Sequence, residues 1–128
     1  MKEIWGRGDV VTQETGENRG ARLNLMQMAE FSRDGPVKKD LMRAGQTDLV
    51  LVCFESGQEI LPHREPYAVQ FLVLSGEGTI VSGDGEYQVE TGHLVAVAAN
   101  GMRGIRCRTR MIILGIRHVV GGNQTCRE

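Results

Sequence analysis

The chain has 128 residues, 15 basic and 16 acidic side chains and a formal net charge of −1. That length predicts one domain, large enough to bury a core without disulfides or a structural metal. The balanced charge gives no electrostatic footprint for nucleic acid or an anionic membrane, so neither is expected as a partner.

Residues 1–36 read as an N-terminal arm. The first 22 residues, opening MKEIWGRGDV, are polar and glycine-dotted, and extend far enough to add an edge strand, with Trp5 as an anchor on the body or on a partner subunit. They contain no apolar h-region, and nowhere does an apolar run approach the ~18 residues of a membrane span. A cytoplasmic location is therefore expected. Asn24 predicts the cap of a short helix through about Ser32, with Leu25, Met28 and Ala29 on one face. The same LNLMQMAEF also reads as a strand, and Gly35-Pro36 ends it either way.

Residues 37–120 read as consecutive strands. VKKDLMR leads through an Ala44-Gly45-Gln46 turn to DLVLVCFE, which is apolar on both faces as a doubly covered strand would be. YAVQFLVLS follows, then GTIVS and EYQVE around Gly83-Asp84-Gly85, a hairpin signal. GHLVAVAA, MRGIRCR and RMIILGIRHVV complete the series. With 17 glycines and turn signals at short intervals, the pattern predicts an all-β sandwich or barrel. Residues 121–128 read as a C-terminal tail.

Cys53, Cys107 and Cys126 form no disulfide framework; the first two read as core and the third as a free thiol in the tail. The sequon at Asn123 is idle without secretion. Arg106, Arg108 and Arg110 alternate, which predicts a shared solvated or dimer-rim face or an anion-binding stripe. Met26, Met28, Met42 and Met102 read as core fillers.

The chemistry concentrates in GQEILPHREPYAVQFLVLSG, from Gly57 to Gly76, and in the stretch from Gly92 to Cys107. These two segments resemble the paired motifs of the cupin family. In the first, Gly57 is followed by five residues and His63, Glu65 takes the slot of a second histidine, Gln70 takes the glutamate slot, and Gly76 closes one residue early. In the second, Gly92 leads to Ala98 in a proline slot, Asn100 in a glycine slot, Arg103 in the slot of the third histidine and Cys107 in an asparagine slot. The resemblance spans about residues 40–117. It implies a cupin-like double-stranded β-helix, or jelly-roll barrel, whose inward side chains line a pocket, and a homodimer as the usual small-cupin assembly. An outward apolar face of Val69, Phe71 and Val73 is the expected interface.

Cupins hold Fe, Mn, Ni or Zn with three histidines and a glutamate. Of those ligands His63 alone is kept here. Arg103 is a permanent cation with donors only and would repel a divalent ion, so no metal is favoured; if one binds, its donors are His63, Glu65 and Gln70. His93 and His118 supply no replacement. The expected pocket set is His63, Glu65, Gln70, Arg103, Cys107 and Tyr67, with Tyr67 at the rim and Cys107 as an inward thiol.

Three functions remain open. The barrel binds a small anion, a carboxylate or phosphate ester, on Arg103, without catalysis or with weak catalysis. It is a metal-dependent isomerase or dioxygenase using His63 and Glu65. Or it is an association module with a relic pocket, in which Glu65 neutralises Arg103 through a two-toothed ion pair.

Overall fold

A strand whose two faces are both apolar needs cover on both sides, and the placement of β3 supplies it. The computed structural model describes residues 20–119 together with the backbone of Ile4 and Trp5. The strands are β1 (Ile4–Trp5), β2 (Val37–Ala44), β3 (Thr47–Phe54), β4 (Glu59–Arg64), β5 (Ala68–Ser75), β6 (Glu77–Ser82), β7 (Gly85–Glu90), β8 (Leu94–Val97), β9 (Met102–Cys107) and β10 (Met111–His118). They form a sheet of order β1-β2-β3-β10-β5-β8 facing a smaller one of order β4-β9-β6-β7. This is an all-β jelly roll, as the sequence predicts.

Between the sheets, Val50, Val52, Phe54, Val73 and Ile113 of the larger one pack on Ile60, Ile80, Val89, Ile105 and Cys107 of the smaller. The opposite face of β3 presents Leu51 and Cys53. There they join Val37, Leu41 and Ile112 in a second cluster roofed by Leu23, Leu25, Met28, Ala29 and Phe31. The arm thus covers the outside of the larger sheet. Its helix α1 (Leu25–Met28) is capped by the Asn24 side chain, which accepts from the Gln27 amide, and it ends at Met28, well short of Ser32. Lys39 fastens the roof: it is buried, donates to the Met28 carbonyl at 2.8 Å and pairs with Glu30 at 3.3 Å. Met26 is exposed and fills no core. The backbone of Ile4 and Trp5 pairs in parallel with Val37 and Lys38, so the arm does add an edge strand. The Trp5 side chain, Cys126 and the sequon lie outside the described residues.

Arg106, Arg108 and Arg110 are exposed, as a solvated face requires; the alternative, an anion-binding stripe, is broken up by partners. β9 ends at Cys107, and Arg106, Arg108 and Arg110 pair with Glu86, Glu77 and Glu55 respectively. A second correction concerns β5. Val69 and Val73 are 1% exposed and point into the barrel, where Phe71 also packs. The expected outward apolar face is therefore the inner one; Gln70, Leu72 and Leu74 occupy the outside.

Candidate functional site

Cross-strand register sorts the inner residues into levels. At the top Arg117 of β10 lies between Asp48 of β3 and Val69 of β5. One level down Gly115 lies between Val50 and Phe71, and below that Ile113 lies between Val52 and Val73. In the facing sheet His63 pairs with Arg103 at the top and Ile60 with Ile105 beneath. A cavity of about 50 Å³ occupies the upper levels. Its wall includes His63, Tyr67, Arg103 and Arg117 above, and Val50, Val52, Ile60, Phe71 and Ile105 below. Below it, Phe54, Met111 and Cys107 close the barrel.

Arg103 dominates the site. It is 3% exposed. Its Nε and Nη2 donate to main-chain carbonyls: Gly101 at 3.2 Å, Tyr67 at 2.9 Å, Ala98 at 3.2 Å and Glu65 at 3.3 Å. Its Nη1 is buried and has no partner. No carboxylate among the described residues pairs with it. Burial lowers its pKa, with Tyr67 and Glu65 opposing; an arginine starts so far above neutrality that it remains a cation at neutral pH.

Tyr67 lines the cavity, and its ring carries two guanidinium groups, with Arg103 Cζ at 4.9 Å from the centroid and Arg117 Cζ at 5.5 Å. Arg117 is already engaged: Nη2 meets Asp48 at 3.3 Å and Asp40 at 3.8 Å, while its Nε is buried without a partner. Asp48 in turn accepts from Arg43, and that hydrogen bond holds its carboxyl below the ordinary range, with further help from the charges of Arg43 and Arg117.

His63 and Glu65 come together, Nε2 to Oε2 at 3.3 Å, both about two-fifths exposed (40% and 36%). His63 Nδ1 faces the Leu61 carbonyl at 3.0 Å. The expected Arg103–Glu65 ion pair is absent because the Glu65 carboxylate turns to His63 while its carbonyl turns to Arg103. Asn100, in the family's glycine slot, takes φ 65 and donates its amide to the same Glu65 carbonyl at 2.8 Å; asparagine is among the side chains that tolerate that left-handed region.

Gln70 does not reach this group. It stands on the outer face and contacts His118 Nε2 at 2.7 Å, because inward parity on β5 belongs to Val69 and Phe71. Cys107 is inward, yet it lies beneath the cavity. Its Sγ contacts the Thr109 carbonyl at 2.7 Å, and burial pushes its thiol pKa up, away from a reactive thiolate. His93 Nδ1 accepts from the Glu90 amide in an exposed turn. Arg117 and Gly115 were not singled out from the sequence. Their signal was there, since they alternate with Ile113 along β10 and share its inward parity.

The donors do not fit a cupin metal centre. His63 and Glu65 face each other, Gln70 is on the wrong face, and a buried guanidinium fills the remaining slot. Among the described residues no three His, Cys, Asp or Glu side chains are grouped to hold an ion.

The fold and site define a jelly-roll barrel with a cationic pocket at one end. Residues 50–116 match the family model described as the cupin domain, and the chain belongs to the cupin family. An RmlC-like cupin protein from Desulfovibrio desulfuricans is similar in structure at 24% identity, with 77% of this chain and 96% of that chain covered and a TM-score of 0.71. An uncharacterized protein with a double-stranded β-helix domain from Klebsiella pneumoniae is 17% identical over 85% of this chain and 98% of that one, with a TM-score of 0.71. A salicylate 1,2-dioxygenase from Pseudaminobacter salicylatoxidans is 16% identical over 66% of this chain but only 26% of its own, with a TM-score of 0.59. No curated protein sequence matches the chain. Among the described residues no helix is long and apolar enough to cross a membrane.

Proposed function

We propose that the barrel binds a small anionic molecule on Arg103 and does so without a metal. The observation behind this reading is a cation 3% exposed, lining a cavity, with no carboxylate partner and with Nη1 unpartnered. Burying an unpaired charge costs several kcal/mol, and a buried donor left without an acceptor costs about 1–3 kcal/mol. A ligand anion removes both penalties at once. The relic reading needs Glu65 to neutralise Arg103, and the Glu65 carboxylate is engaged with His63 instead. A catalytic reading through a metal lacks its third donor.

The test is thermal denaturation in the presence of acetate, propionate and inorganic phosphate. At least one of these anions is expected to raise the melting temperature of the wild-type protein. Arg103→Met should abolish that rise in a protein that still folds. A rise that survives in Arg103→Met would overturn the reading.

A further inference from the structure

Resting on the anion reading, we propose that the ligand is a short-chain monocarboxylic acid of about two to five carbons, held with its carboxylate on Arg103 and its hydrocarbon tail over Gly115. Immediately below the guanidinium the wall turns apolar, through Val50, Val52, Phe71 and Ile105. A hydroxylated body such as the sugar of a phosphate ester would leave its hydroxyls unpaired there, which is costly; a hydrocarbon would not. Lys38 and Arg117 also line the cavity. Both are engaged by neighbours, Arg117 by Asp48 and Asp40. Arg103 therefore supplies the site for one anionic group, which favours a monoacid over a diacid.

Gly115 makes the room for the tail. It occupies the rung between Val50 and Phe71 where the next rung carries Ile113. A Cβ added there would meet the Val50 carbonyl at 3.7 Å and the Phe71 ring at 3.9 Å, which is ordinary contact. Neither backbone conformation nor crowding demands glycine at this position, so the missing side chain is itself what opens the cavity. The space of about 50 Å³ holds a few water-sized groups at about 10–15 Å³ each. That sets the short tail.

Isothermal titration with formate, acetate, propionate, butyrate, malonate and inorganic phosphate tests this on wild type, Gly115→Val and Arg103→Met. Wild-type affinity is expected to rise about fourfold per methylene from acetate to butyrate, and Gly115→Val should reverse that order so that formate binds tightest. If Arg103→Met fails to fold, the Gly115→Val series decides alone. Phosphate or malonate binding more tightly than butyrate, or a flat series, would overturn the monocarboxylate assignment while leaving the anion reading in place. Binding of none of these anions, or binding unchanged in a folded Arg103→Met, would overturn the anion reading itself.

Discussion

Arg103 and Glu65 meet through the wrong atoms for an ion pair: Nη2 donates to the Glu65 carbonyl at 3.3 Å, while the Glu65 carboxylate lies 3.3 Å from His63 Nε2. The cation is thereby held by main-chain dipoles, with the Glu65 charge acting on it from a distance and no carboxylate in direct contact. Neutral carbonyls fix its direction without consuming its charge.

Removing the nearest negative side chain should therefore strengthen anion binding. Glu65→Gln is expected to tighten propionate binding by about two- to tenfold, with a stability change below about 1 kcal/mol because the His63–Glu65 pair is substantially exposed. Titration calorimetry beside urea denaturation reads both quantities. Weaker binding in this variant would mean that Glu65 contacts the ligand directly.

Gln70 occupies a ligand slot of the family motif but faces outward to His118. Gln70→Ala should leave anion affinity within about twofold of wild type and cost no more than about 1 kcal/mol. A large loss of binding would place the side chain inside the barrel after all.

Asp48 links the rim. It is 6% exposed and receives hydrogen bonds from Arg43 and Arg117. Its carboxyl is held below its unfolded value, so its contribution to stability is complete at neutral pH and is lost as pH falls through the depressed folded value. Asp48→Asn should cost about 1–3 kcal/mol at pH 7. Its stability should also decline less steeply than that of wild type on acidification below about pH 4. Denaturation midpoints measured between neutral and strongly acidic pH check the sign; a steeper decline in the variant would contradict it.

Gly76 joins β5 to β6 at φ 92, and a Cβ there would collide with the Arg110 carbonyl oxygen. Both the left-handed conformation and the rigid backbone neighbour oppose any side chain. Gly76→Ala should lose more than about 3 kcal/mol or fail to fold, whereas Gly115→Ala, with open van der Waals distances, should fold normally. Urea titration of the two variants separates them.

The strand succession was legible because alternation and turn residues are local signals. Gly83-Asp84 connects β6 to β7 where the hairpin motif predicts it. Arg103, Ile105 and Cys107 alternate along β9 and all point inward. On β5 the family slot at Gln70 implies an inward glutamine, but the apolar alternate set of Val69 and Phe71 is the better core candidate and takes the inner face. What the sequence could not carry was side-chain direction at the rim. Whether Glu65 offers Arg103 its carboxylate or its carbonyl depends on loop geometry set by Asn100 and Ala98, residues more than thirty positions away. The α1 helix ends at Met28, short of Ser32, because its length is decided by packing on Leu51 and Leu41 across the sheet, not by local propensity.

The most direct measurement is a crystal structure of the protein soaked with 3-bromopropionate, read by bromine anomalous scattering. The account predicts a carboxylate on Arg103 Nη1 with the bromine beside Gly115 inside the barrel. Bromine found only against the surface arginines Arg106, Arg108 and Arg110, with the barrel holding no anion at Arg103, would contradict it.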